Sequence, residues 1–226
     1  MGRPREHGTA TQAALLAAAA EIVGAEGPAA LTVRRAADRV GTTTRAVYSL
    51  FGDKDGMLRA LNHTAAETMR RHHEAVPVSD DPVSEFPALA LAYRDAVLEQ
   101  PNVYEMWIAG LAAPGPPPYP PDSDAALSYR SHERVLDAIA RCVASGRFPG
   151  RDVERTGAQL FALVHGLATL ELRGLLGDPD TARSSWVDAI TAAVTGYQRP
   201  PDTDRPGDAA PRPRPARRRA VPTPAR

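Results

Sequence analysis

The chain of 226 residues has a single cysteine, Cys142, so no disulfide can form within it and the fold must rest on packing. A lone thiol fits a reducing compartment, and the expected location is the cytoplasm. Lysine is also nearly missing: of 27 basic residues only Lys54 is not an arginine. No apolar run approaches the roughly 18 residues of a membrane span, so none is expected. The alanine-rich run from Ala13 meets Glu21 and Gly24, has helical periodicity and lacks a convincing cleavage site. It reads as a soluble helix and not as a secretory leader. No alternating pattern of strand length and no internal repeat is evident. The chain has no Glu-x-x-His pair, no nucleophile elbow and no phosphate-binding glycine loop, so nothing supports an enzyme and no cofactor is expected. His72 and His73 are adjacent, but neighbouring helical residues diverge by about 100°. With no cysteine or acidic cluster beside them, no metal site is expected.

What is present is 43% hydrophobic residues, enough for a core, and an uneven charge. Residues 1–62 carry 8 basic and 6 acidic side chains, residues 63–198 carry 11 and 18, and residues 199–226 carry 8 and 3. A mildly basic head thus precedes an acidic body and a basic tail, although the formal net charge is zero. Helical periodicity runs from Thr9 to Ala25, then from a Thr32 cap through Val33, Ala36, Ala37 and Val40, where Gly41 stops it. A third helix is predicted from Thr43 through Phe51, and a fourth, capped by Asp53, to about His73. Further helices are predicted at roughly 84–99, 101–113, 123–146, 151–176 and 179–198, with Asp152 and Asp178 as caps. "PGPPPYPPD" at 114–122 can only be a loop. The fold class is therefore all-α. From Arg199 onward only Val221 is a long aliphatic residue, so 199–226 is expected to be a disordered Pro/Arg-rich tail. Residues 1–8 are expected to be a flexible N-terminus.

"VGTTTRAVYSLFGDK", Val40 to Lys54, is the most informative stretch. Two short helices joined by a tight glycine turn form a helix-turn-helix pattern, whose second helix reads the DNA major groove. Thr42, Thr43 and Thr44 at its start have hydroxyls for phosphate or bases and methyls for a thymine methyl. Arg45 can fork onto guanine O6 and N7. Val47 and Phe51 face the small core, and Tyr48 can send its hydroxyl to a phosphate. Lys54, in the first turn of the next helix, can clamp a phosphate together with free backbone amides. Taken singly, each threonine is ordinary capping and each aromatic ordinary core; the combination and spacing are what point to DNA.

"LTVRRAADRVGTTTRAVYSLFGDKDGML" resembles the N-terminal domain of the TetR family of transcriptional repressors. The family's opening threonine, turn glycine, small hydroxyl cap, Leu-Tyr-x-x-Phe and following lysine match Thr32, Gly41, Thr43, Val47-Tyr48, Phe51 and Lys54. The match covers about residues 9–60. Two positions depart: Arg45 stands where the family usually has a small residue, and Leu50 where many members have histidine. The resemblance implies an N-terminal three-helix DNA-binding domain at 9–55, with helix four leading onward from 54. A larger helical ligand-binding and dimerisation domain would follow at 56–198. It also implies a homodimer on a palindromic double-stranded DNA operator, and a small-molecule effector.

"AQLFALVHGLATLELRGLLG" is similar to a subgroup whose eighth helix carries an aromatic residue and then a His-Gly pair, here Phe161, His165 and Gly166. The family's last two long helices pair with their mates, which puts the dimer on about 151–176 and 179–198. The first of these is apolar on nearly every side, so it needs both an intrachain core and a second contact. An apolar or aromatic effector would be lined by Tyr93, Tyr104, Met106, Trp107, Tyr129, Phe161 and His165, though helix cores use the same residue types. The readings left open beside a released repressor are a constitutive DNA-binding regulator and a helical binding protein that meets no DNA.

Overall fold

The computed structural model describes residues 5–105 and 124–201. The all-α expectation holds, with no strand among the described residues. In chain order the helices are α1 (Arg5–Glu26), α2 (Val33–Val40), α3 (Thr44–Phe51), α4 (Lys54–Glu74), α5 (Phe86–Glu99) and α6, described over 101–105. Then follow α7 (Asp124–Ala144), α8 (Val153–Leu172) and α9 (Pro179–Tyr197). Single 3-10 turns occupy Pro28–Ala30 and Pro82–Glu85. The proline-rich loop at 114–122 and the tail beyond residue 201 lie outside the described residues.

Local chemistry sets most boundaries. Thr32 Oγ1 accepts the Arg35 N–H at 3.1 Å, and Thr43 Oγ1 accepts the Ala46 N–H at 3.2 Å. Asp53 accepts from Gly56 N at 2.7 Å, Asp152 from Arg155 N at 2.8 Å and Asp178 from Thr181 N at 2.8 Å. Each such cap contributes about 1 kcal/mol. Gly41 closes α2 in the left-handed conformation, φ 70°, with the Thr42 N–H returning to Ala37 O at 3.0 Å.

Three of the boundaries that differ from the sequence expectation have a local cause. Helix α1 starts at Arg5, ahead of Thr9; Arg5 and Glu6 are good helix formers, and the preceding Pro4 is of a type suited to a helix start. Helix α5 starts at Phe86, because Pro82–Glu85 is held as a 3-10 turn by Asp81, whose carboxylate accepts the Val83 N–H at 3.3 Å. Helix α8 ends at Leu172, short of 176, because Gly174 turns left-handed (φ 70°) and the Leu175 N–H folds back to Leu170 O at 2.9 Å.

The buried side chains form two cores. Leu15, Ile22, Leu31, Val47, Met57 and Leu61 unite α1–α4. Phe86, Tyr93, Ile139, Phe148, Leu160, Trp186 and Ile190 unite α5 and α7–α9. Full burial of one such side chain is worth about 1.5–3 kcal/mol. Helix α4 serves both cores, Met57 and Leu61 in the first and Met69 against the second.

Two carboxylates brace the body, Glu85 buried and Glu171 half-buried. Glu171 accepts from Arg94 Nη2 at 2.6 Å and Trp186 Nε1 at 2.8 Å, tying α5, α8 and α9. Glu85 accepts from Arg134 and Arg141, each at 2.7 Å, and from the Ser79 N–H at 2.6 Å. Burial alone would raise the Glu85 carboxyl; hydrogen bonds from Arg141, the Ser79 amide and Arg134 outweigh it and hold it below the usual carboxylate value.

Candidate functional site

Helix α3 has two chemically distinct sides. Val47 is fully buried, with Leu50 and Phe51 packed partly against the same core. The opposite side exposes Thr44, Arg45, Tyr48 and Ser49, with Thr43 exposed at the cap and Thr42 half-buried in the turn. Tyr48 is 56% exposed, so its ring does little for the core and is available to an outside partner. Thr43 and Thr32 each use a hydroxyl oxygen as a cap acceptor, which leaves the hydroxyl hydrogen for a further acceptor such as a phosphate. Lys54 opens α4, half-buried, where the first-turn amides have no helical partner.

The neighbouring arginines separate by role. Arg35 Nη1 donates to Glu26 at 2.9 Å and Arg39 Nη2 to Glu21 at 2.8 Å, so both brace α2 against α1. Among the described residues no acid pairs with Arg45 or Lys54, and both cations remain for an anionic partner. Gly56 is a site residue that sequence reasoning passed over. A Cβ there would sit inside the carbonyl oxygen of Phe51, so only glycine lets the start of α4 close onto the end of α3 and set Lys54 beside it.

The body holds a cavity of about 430 Å³ among α4, α5, α7, α8 and α9. Of the residues predicted to line a pocket, Tyr93 and Phe161 do so. Tyr104 and His165 stand behind that wall: the Tyr93 hydroxyl is 3.0 Å from His165 Nδ1, and the Tyr104 hydroxyl is 3.1 Å from the same nitrogen and donates to His165 O at 3.1 Å. Burial raises both phenols above their ordinary value, Tyr93 the more strongly, and, with His132 nearby, lowers the His165 imidazole. All three are therefore neutral at neutral pH. Tyr129 lies on the α7 backbone, about one turn before His132; Met106 and Trp107 lie outside the described residues.

Sequence reasoning missed His73 and His132 as cavity residues. The signal for His73 was the four-residue spacing Met57, Leu61, Ala65, Met69, His73, which continues the core-facing side of α4. Its neighbour His72 turns away to Glu99, with Nε2 to Oε2 at 2.8 Å. His132 had no such signal, because its surroundings come from α4, α5 and α8. The ring centroids of His132 lie 5.9 Å from His73 and 5.2 Å from Phe161.

Comparison with known proteins agrees with both halves. Residues 15–61 match the profile of bacterial regulatory proteins of the tetR family, and residues 86–193 that of the Tetracyclin repressor-like C-terminal domain. No curated protein matches the chain. Among solved structures, a protein of unknown function from Rhodococcus sp. is 24% identical, with a TM-score of 0.64, covering 87% of this chain and 97% of its own. The TetR family transcriptional regulator PfmR from Thermus thermophilus is 20% identical, with a TM-score of 0.66, covering 82% and 99%. A bacterial regulatory protein in the tetR family from Rhodococcus is 17% identical, with a TM-score of 0.68, covering 81% and 96%. At such identities the structures speak for the fold, and the two profile matches, which together span most of the described chain, carry the assignment. The chain belongs to the TetR family of transcriptional regulators.

Proposed function

We propose that the protein is a homodimeric repressor that binds a palindromic double-stranded DNA operator through α3 and is released by a small molecule held in the body cavity. The observation that carries the DNA half is the two-sided α3, with Val47 buried and Thr44, Arg45 and Tyr48 exposed beside Lys54. Thr32, Thr42, Thr43, Thr44, Tyr48 and Lys54 then meet the operator, chiefly its phosphates, and Arg45 reaches a base edge. The domain division follows the same reading: 9–55 binds DNA, and 56–198 binds ligand and dimerises.

Dimerisation is supported by the outer strip of α8. Ala162 and Gly166 are exposed, and Leu170 is 42% exposed although apolar. Small residues allow a second helix to approach closely, and α9 adds Ala192 and Gly196, also exposed. A two-fold pairing there would present two α3 helices to successive major grooves. Effector release is supported by the cavity, since a void of this size with mostly apolar walls suits a small organic ligand. The protein would act in the cytoplasm, where it meets chromosomal DNA.

The test is a salt series of binding to the promoter DNA beside its own gene, followed by selection of bound sequences from random DNA. A palindromic preference with two half-sites about one turn apart is expected. Binding that shows no sequence preference at any salt concentration would overturn the reading.

A further inference from the structure

The cavity and the body's buried charges are kept apart. Among the described residues, no Lys, Arg, Asp or Glu lines the cavity; its polar side chains are the imidazoles of His73 and His132 and the phenol of Tyr93. The buried ions nearby are engaged elsewhere. Arg94 holds Glu171 in a bidentate pair and also donates to Pro179 O at 3.3 Å. Arg134 and Arg141 both converge on Glu85. Among the described residues, an anion in the cavity would find no guanidinium to receive it, and a cation no carboxylate. Either charge would be desolvated with only imidazole and phenol hydrogen bonds in return, which repay less than the loss of water costs.

The walls favour flat rings. Phe161 meets His132 at 84° and Tyr93 at 80°, and His132 meets His73 at 62°, so faces and edges of four rings border one space. An inserted aromatic ring continues that edge-to-face arrangement. Leu89, Leu160, Val164 and Ile190 complete an aliphatic lining. A void of 430 Å³ accommodates roughly 12–18 non-hydrogen atoms at interior packing density.

We infer that the ligand is an uncharged aromatic or alkyl-aromatic molecule carrying one hydroxyl or carbonyl oxygen, which exchanges a hydrogen bond at the His73–His132 corner. Its biological meaning rests on the effector role proposed above. Its chemistry rests on the cavity alone.

The experiment uses the full chain without DNA and titrates four probes built on one biphenyl frame by calorimetry: biphenyl, para-phenylphenol, biphenyl carboxylate and para-phenyl-trimethylanilinium. Para-phenylphenol is expected to bind best, biphenyl about 3–10-fold more weakly for want of one hydrogen bond, and both ions at least about 30-fold more weakly than para-phenylphenol. His132→Leu should bring para-phenylphenol and biphenyl within about two-fold of each other, half the span of one ordinary hydrogen bond or less. A charged probe that equals the phenol, a preference unchanged in His132→Leu, or no binding by any probe would each overturn the inference; if His132→Leu does not fold, the wild-type ranking still decides. Operator release is read separately. If para-phenylphenol binds as stated but leaves operator affinity unchanged, the ligand class stands and the effector role falls. If a charged probe binds best and releases the operator, the effector role stands and the ligand class falls.

Discussion

Val103 and Tyr104 are consecutive residues buried in different cores. Val103 is 5% exposed and packs among Leu15, Ile22 and Leu61 of the core that unites α1–α4; Tyr104 is 7% exposed, belongs to the body core and donates to His165 O. Beside them Asn102 fills the space that Gly24 of α1 leaves open, since a Cβ on Gly24 would lie 2.6 Å from Asn102 Oδ1. The start of α6 is thus a short tie between the wall behind the cavity and the helix under the reader.

The tie predicts a coupling defect. Val103→Ala should cost about 2 kcal/mol of stability and reduce the factor by which ligand weakens operator binding. By linkage, the factor by which operator weakens ligand binding must fall equally. Paired titrations of ligand with and without operator check this. An unchanged factor in a folded variant would show that the two units communicate by another route.

The exposed side of α3 predicts two classes of DNA mutant. Arg45→Ala should cost about 1–3 kcal/mol and relax the preference at one base pair per half-site. Tyr48→Phe and Lys54→Ala should weaken all sequences alike, and Lys54→Ala should reduce the slope of log affinity against log salt by about 0.9 for each phosphate that is no longer neutralised. Site selection on each variant, run beside a salt series, separates the two. An unchanged base preference in Arg45→Ala would make Arg45 a phosphate-binding residue.

The outer strip of α8 predicts the assembly. Leu170→Glu places a charge on an already exposed apolar position, so it should leave the monomer fold intact and split the proposed dimer. Ala193 behaves differently: it is partly buried against the body core, so Ala193→Glu should lower stability as well. Sedimentation and thermal melting measured together distinguish the outcomes. A Leu170→Glu dimer as tight as the parent would move the interface elsewhere.

Acid should loosen the body through His165. Burial, with His132 nearby, lowers its pKa, so the unfolded chain takes up a proton more readily than the folded one. Stability is therefore full above the ordinary imidazole value of about 6.5 and declines as pH falls below it, until His165 itself protonates at its lower value. Protonation also sets a cation beside the hydroxyls of Tyr93 and Tyr104. His165→Gln should flatten this part of the stability profile, measured by denaturant unfolding across the range. An identical slope in parent and variant would assign the acid sensitivity to other groups.

How far the sequence reaches follows from the range of the forces involved. Caps, turns and helix breakers act within four residues, so Thr32, Gly41, Thr43, Asp53, Asp152 and Asp178 were legible one by one and stand where expected. The end of α8 was legible in principle, since Gly174 is a local signal, but the leucines around it continue the apolar pattern and mask the stop. The two-sided α3 was legible for the same short-range reason, because a 3.6-residue period alone separates Val47 from Tyr48.

The cavity is another matter. Its rings come from positions 73, 86, 93, 132 and 161, on four helices, and nothing local distinguishes a tyrosine that lines a void from one that fills a core. Tyr93 and Tyr104 show this: both were expected at a pocket, yet only packing put Tyr93 on the wall and Tyr104 behind it. The pairing of Glu85 with Arg134 and Arg141, and of Arg94 with Glu171, spans 49 to 77 residues of chain, and none of these paired charges is among the described residues that line the cavity. The helices and the two-sided α3 therefore follow from short-range chemistry written along the chain, and the motif on them carries the family resemblance. Which side chains border the cavity, and which charges are withheld from it, was settled by packing, because burial and ion pairing depend on neighbours that no local pattern encodes.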